Sequence, residues 1–298
     1  MGNFQKKIVF DGAATALVTP FKNGAVDYDA FGRIIDWQID EGIDGLVICG
    51  TTGEGSTLSD EEHRQCLKFA VERAAGRTPI IAGTGSNDTA YAVELSRYAC
   101  EVGCDALLVV TPYYNKATPK GLIQSFFAVA DATDKPIILY NVPSRTGVNI
   151  PLKVYKELAK HERIVATKEA SGNLSAIAEL RAEVGDSLAV YSGNDDQIVP
   201  IMSLGGRGVI SVLSNIMPRE THEMCNFCLT GDYKSAAEMQ LKYLRLINSL
   251  FIEVNPIPAK TACGLMGLCS VEMRLPLCEM EEANRAVLVE AMRGAGLI

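Results

Sequence analysis

The 298-residue chain is short of several features that would each point to a class of protein. It has no excess of positive charge. Against 28 Lys and Arg stand 36 Asp and Glu, a formal net charge of −8, which offers no footprint for a phosphate backbone, so no nucleic-acid partner is expected. No apolar run approaches the roughly 20 residues of a spanning helix, and residues 1–10 lack the apolar stretch of a signal peptide. No membrane partner is expected, and the expected location is cytoplasmic. Pro, Gly or Ser-rich linkers and low-complexity runs are missing too. The nine cysteines are scattered through apolar stretches, unlike the dense framework of a small secreted domain. One short pair, Cys225-x-x-Cys228 with His222 before it, resembles half a zinc site. No second pair follows at ligand spacing and the segment reads as helix, so these are small apolar helix residues and no metal is expected.

What is present is enough apolar sequence, 48% of residues, for a sizeable core, arranged in a repeating unit. Short runs rich in Val and Ile fall at 14–18, 45–49, 79–82, 106–110, 136–140, 164–167, 188–191 and 208–212, each of strand length. Helical spacing separates them, closed near Gly42, Gly76, Gly103 and Gly185. Ser59 with Glu62 makes a helix-start signature, and Pro119 and Pro151 suit first helical turns. Strands that read as continuous apolar runs are buried on both faces, and alternation with helices makes them parallel. Eight such units predict an α/β protein, a closed (β/α)8 TIM barrel. After residue 212 the pattern is helical only. The expected division is a barrel over residues 1–219 and a C-terminal helical extension, packed on it, over 220–298.

Chemistry in such barrels occurs at the C-terminal strand ends, where apolar runs turn polar. Lys168 is the most unusual residue there. Period-2 alternation puts it on the face of Ile164 and Ala166, and an uncompensated buried ammonium is costly. Two readings stand. Either it snorkels outward or pairs with Glu169, or it is a desolvated, partly neutral amine that attacks a ketone to form a Schiff base. Tyr140 closes another run, as a core tyrosine or a proton carrier. Arg145 follows a Pro-Ser turn, either solvated or presenting a planar fork to a carboxylate. The turn Gly50-Thr51-Thr52-Gly53 is a plain βα loop or an anion nest. It is no Walker loop, because Ser56-Thr57 follows Gly55 where a lysine would stand.

Gly50-Thr51-Thr52-Gly53-Glu54, then Tyr140-Asn141-Val142-Pro143-x-Arg145-Thr146-Gly147, then Lys168-Glu169-Ala170 occur in that order. Together with Asn255-Pro256-Ile257-Pro258 they make nearly the whole chain resemble the dihydrodipicolinate synthase family, within the N-acetylneuraminate lyase superfamily of pyruvate-dependent class I aldolases. The resemblance implies a lyase that condenses pyruvate with L-aspartate-4-semialdehyde to give 4-hydroxy-tetrahydrodipicolinate, the first committed step of lysine and diaminopimelate biosynthesis, without a cofactor. It implies that Lys168 forms the imine and that Tyr140, Thr51 and Tyr114 relay protons, Tyr114 acting in a neighbouring subunit's site. It further implies that Thr52 holds the pyruvate carboxylate, Arg145 receives the aldehyde's carboxylate, and Gly193 and Ile210 offer main-chain contacts. A homotetramer built from tight dimers is implied as well. A sugar-acid lyase of the same superfamily and a non-catalytic ligand-binding relative are the alternatives. Many members bind lysine in a cleft between subunits, and Ser56, His63, Asn87 and Tyr113 occupy matching positions. Tyr91 and Asp60 depart from that pattern, standing where lysine-sensitive members place a glutamate and, in several, a histidine, so weak or absent inhibition by lysine is expected.

Overall fold

The computed structural model describes residues 6–298. Its strands are β1 (Gly12–Ala16), β2 (Phe21–Lys22), β3 (Ala25–Val26), β4 (Gly45–Ile48), β5 (Ile80–Gly83), β6 (Ala106–Val110), β7 (Ile137–Asn141), β8 (Ile164–Glu169), β9 (Ala189–Ser192) and β10 (Gly208–Ser211). Its helices are α1 (Tyr28–Asp40), α2 (Asp60–Ala74), α3 (Thr89–Glu101), α4 (Pro119–Asp131), α5 (Pro143–Thr146), α6 (Leu152–Leu158), α7 (Leu174–Val184), α8 (Ile198–Ser203), α9 (Pro218–Leu229), α10 (Tyr233–Ser249), α11 (Ile257–Leu265) and α12 (Glu282–Gly294). All strands except β2 and β3 pair in parallel and close a barrel in the order β1-β10-β9-β8-β7-β6-β5-β4. The expected TIM barrel is present, with its strands where the apolar runs predict them. The antiparallel β2–β3 hairpin was not foreseen, because two-residue strands leave no periodicity to read.

Local chemistry sets the helix boundaries. Ser59 accepts from the Glu62 amide and Glu62 reaches back to the Ser59 amide, the reciprocal cap that starts α2. Thr118 caps α4 with Pro119 in its first turn. Pro151 is the N-cap residue of α6 rather than a helical one, since the helix begins at Leu152.

Small and medium residues fill the barrel interior, among them Ala14, Ala16, Val47, Ile81, Ala106, Leu108, Ile138, Ala166 and Ile210. Phe10 stacks on Tyr191 with ring centroids 4.2 Å apart, and the Tyr191 hydroxyl donates to the Phe10 carbonyl at 2.6 Å. A second, larger core lies between strands and helices. One expectation about facing is corrected. Ile137 pairs with Ile164 but Ile138 pairs with Ala166, so β8 carries a bulge at Val165. The extra residue shifts the alternation by one step. Ile164 therefore packs in the outer core, while Ala166 faces the interior.

Helix α9 packs on β1, β10 and α8, as a barrel helix does, and the expected division between residues 219 and 220 falls inside it. Cys225 and Cys228 are buried there in the outer core, and burial pushes both thiols up, Cys228 to about 11. After it, α10 lies against α8, α9 and α12, and α11 against α12.

Candidate active site

β7, β8 and β9 bring Tyr140, Lys168 and Tyr191 to one level of the barrel. Lys168 is only 5% exposed, and its ammonium lies 4.5 Å from the centroid of the Tyr140 ring. The negative face of a tyrosine offers a desolvated cation partial compensation. Among the described residues no carboxylate forms an ion pair with it. The adjacent Glu169 is on the other side of the strand: it accepts from Asn141 Nδ2 at 2.9 Å, from Ser171 Oγ at 2.8 Å and from the Tyr155 hydroxyl. Burial, followed by the Glu169 charge, pushes the Tyr155 phenol well up. The reading in which Glu169 neutralises Lys168 is thereby removed, since the carboxylate is committed outside the barrel.

Space around the lysine depends on Gly193. A Cβ at that position would stand 3.1 Å from Lys168 Cε and 2.7 Å from Ala170 Cβ. Just beyond, Asp195 is buried. One carboxylate oxygen accepts the Val212 and Leu213 amides at 3.0 and 2.9 Å, and burial raises its pKa. It ties the end of β9 to the end of β10, where Ile210 is buried in the interior cluster. Sequence reading passed over Asp195, because an acidic residue in a polar loop gives no sign of burial.

The turn after β4 is held by its own backbone and by close packing. Cys49 and Glu54, at its two ends, adopt left-handed φ of 57° and 52°. Such angles cost a non-glycine residue about 1–3 kcal/mol each and persist only where the surroundings enforce them. Gly55 and Gly83 give that room, since a Cβ on either would come within 2.3 and 2.7 Å of the Cys49 carbonyl oxygen. Thr51 is exposed at the tip and Thr52 is buried. The Thr52 hydroxyl oxygen accepts from Asn255 Nδ2 at 2.9 Å, which leaves its own hydrogen free to donate.

Arg145 sits on the short helix α5, exposed, with Nη2 donating to the Asn255 carbonyl at 2.9 Å. Its other N–H groups remain available. A cavity of about 400 Å³ is lined by Thr51, Tyr140 and Arg145 and also by Ser56, His63, Tyr91 and Tyr113, whereas Lys168, Thr52, Gly193 and Ile210 are not in that lining. Residues that the sequence assigns to two separate regions thus border one cavity in the single chain. Asn87 is not part of that lining, and its carbonyl accepts from Asn115 Nδ2 at 2.9 Å. Nor is Tyr114, which is 90% exposed on a left-handed backbone with φ 68°.

The fold and the site define a class, a parallel barrel with a buried strand-end lysine, a tyrosine at its side and a tight threonine-bearing turn at the same end, an arrangement suited to imine chemistry. A model of the dihydrodipicolinate synthetase family matches residues 9–295, and the chain belongs to that family. It is 52% identical over 290 residues to the 4-hydroxy-tetrahydrodipicolinate synthase of Clostridium perfringens (strain SM101), covering 97% of this chain and 100% of the relative. The crystal structure of dihydrodipicolinate synthase from Aquifex aeolicus superposes with a TM-score of 0.95 at 48% identity, over 97% of this chain and 99% of the other. The Acinetobacter baumannii dihydrodipicolinate synthase complexed with pyruvate gives a TM-score of 0.95 at 43% identity, over 97% of this chain and 99% of that one.

Proposed function

We propose that the chain condenses pyruvate with L-aspartate-4-semialdehyde to form 4-hydroxy-tetrahydrodipicolinate, and that Lys168 carries the reaction as a Schiff base. The observation that carries this reading is the unpaired, buried Lys168 ammonium beside Tyr140 in a chain 52% identical to a named synthase. The neutral amine attacks the pyruvate carbonyl carbon, water leaves, and the protonated imine draws electrons from the neighbouring methyl. Loss of a methyl proton gives an enamine that attacks the aldehyde carbon. The amine of the aldehyde substrate then displaces Lys168 from the imine carbon, closing the ring and releasing the enzyme, so that one water is lost overall.

Tyr140 carries protons at the substrate oxygen, with Thr51 beside it at the tip of the turn. Tyr114 completes the relay from a neighbouring subunit, for which its full exposure on a strained backbone is the support. Thr52 donates its free hydroxyl hydrogen to the pyruvate carboxylate, and Gly193 and Ile210 supply main-chain contacts beside the lysine. The remaining fork of Arg145 takes the carboxylate of the second substrate, because two parallel N–H bonds match a carboxylate where a point charge does not. These roles fit a homotetramer of tight dimers, and the lysine-pathway activity fits a cytoplasmic location. No helix among the described residues is long and apolar enough to cross a membrane. We place the end of the barrel after α9, at about residue 230, with the extension formed by α10 to α12. The relatives' names support the synthase, and nothing among them favours a sugar-acid lyase.

Incubation with pyruvate and borohydride tests the mechanism. Reduction of the imine should add the mass of a reduced pyruvate adduct at Lys168, and failure to trap any adduct would defeat the assignment. Consumption of L-aspartate-4-semialdehyde by the pyruvate-loaded protein, in preference to sugar aldehydes, tests the substrate.

A further inference from the structure

Beneath the turn after β4, an ion pair between Lys260 and Glu54 is buried, with side chains 0% and 1% exposed. Lys260 Nζ donates to Glu54 Oε1 at 2.5 Å and stands 4.0 Å from the centroid of the Phe21 ring. The second Glu54 oxygen accepts the Arg274 amide at 3.1 Å. Both cation and amide come from the C-terminal extension, and the carboxylate belongs to the turn that carries Thr51 and Thr52. Buried ion pairs contribute little net stability, because desolvation offsets their attraction, and well-packed apolar replacements are often neutral or better. Fixing a geometry is the use that remains, and the turn has a geometry that needs fixing, since Glu54 is one of its two left-handed residues.

The contacts form a closed circuit. Glu54 N donates to the Thr51 carbonyl at 3.1 Å, so the anchored residue is bonded to the turn's tip. Lys260 sits in the first turn of α11, its amide donating to the Pro256 carbonyl at 2.8 Å. Next to Pro256 is Asn255, which donates to the Thr52 hydroxyl and accepts from Arg145. Displacing Lys260 would therefore move both the backbone under Thr51 and the amide that orients the Thr52 hydroxyl.

We propose that Lys260 is a positioning residue: paired with Glu54, it locks the C-terminal extension onto the turn after β4 and so sets where Thr51 and Thr52 meet the carboxylate of a 2-oxo acid. This rests on the assignment of that turn to pyruvate. In Lys260→Met, the pyruvate KM should rise about tenfold or more while kcat falls by less, the pattern of lost ground-state binding. Borohydride trapping at saturating pyruvate should still go to completion. Because a lone buried Glu54 can itself unfold the chain, the deciding variant is Lys260→Met with Glu54→Gln, which removes both charges and keeps the shape. Its melting temperature should return to within a few degrees of the unsubstituted protein's, and its pyruvate KM should stay raised. A KM that returns to the unsubstituted value together with stability, or a double variant that cannot fold, would show a pair serving the fold alone and would overturn the proposal. Absence of any pyruvate adduct on the unsubstituted chain would instead overturn the function itself, so the two failures are distinguishable.

Discussion

Tyr140 and Lys168 touch through a ring face and an ammonium 4.5 Å from its centroid, which makes the tyrosine separable from the core it borders. In Tyr140→Phe the ring and its packing survive and only the hydroxyl is lost. Turnover should fall on the order of 10²-fold, the scale of general acid–base catalysis. A change within a factor of about two, measured by coupled assay, would return Tyr140 to the core residues. Arg145 gives a different signature because its guanidinium reaches the cavity while Asn255 holds one nitrogen. Arg145→Ala should raise the KM for the aldehyde and lower the rate while leaving pyruvate trapping intact, and Arg145→Lys should fail almost as badly for want of a bidentate fork. Loss of trapping in these variants would mean that the arginine serves the other carboxylate.

Helix α2 is fastened at its start to the extension. Arg274 donates through both terminal nitrogens to Glu62, at 2.7 and 2.6 Å, and this pair holds the Glu62 carboxyl down at about 2 against an ordinary 4.5. A depressed carboxylate stabilises the fold above pH 4.5, and that contribution is lost as pH falls through about 2. Glu62→Gln keeps the helix cap but not the charge. It should lower stability by about 1–2 kcal/mol near neutral pH after allowance for solvent screening. Urea melts should show the gap to the unsubstituted protein narrowing on acidification below pH 4.5, and a gap of constant size would discount the pair. Helix α3 faces α2 through another contact, in which the Tyr91 hydroxyl donates to Asp60 Oδ1 at 3.0 Å while Arg64 Nε binds Oδ2 at 2.8 Å. Asp60 and Tyr91 are thus committed to each other, and among the described residues no carboxylate lines the adjoining cavity to meet a ligand's ammonium. Initial rates should show weak or absent inhibition by lysine, and half-inhibition at submillimolar lysine would contradict this. Tyr91→Glu should increase sensitivity, and more so with Asp60→His, because the new carboxylate otherwise faces Asp60.

For the whole molecule, the single barrel leaves Tyr114 outside its own cavity and almost wholly exposed. A relay that needs this side chain is complete only across an interface between two copies. Sedimentation should therefore find a dimer or a multiple of one at assay concentrations, and a fully active monomer would remove Tyr114 from the mechanism. The single chain also merges two expected regions, since Ser56, His63 and Tyr113 border the cavity that holds Thr51 and Arg145.

By itself the sequence determined the barrel and marked the strand ends from which the candidate site is drawn, for a physical reason. Strand length, helix caps and the switch from apolar to polar at a strand end are local signals, carried by residues within a few positions of one another. Lys168, Tyr140, Arg145 and the Gly50–Glu54 turn stood out in this way as polar strand ends, each open to a structural or a catalytic reading until the ordered motifs matched the family. The tertiary structure decided what depends on distant partners. Period-2 alternation could not see the bulge at Val165, because a bulge is defined only against the paired strand. Nor could it say whether Glu169 neutralises Lys168, since the partners that draw it away, Asn141 and Tyr155, come from another strand and a helix. Lys260 reads in sequence as a stray charge in an apolar helix, and Glu54 as one more polar loop residue. They are 206 positions apart, and only the folded chain makes them a pair.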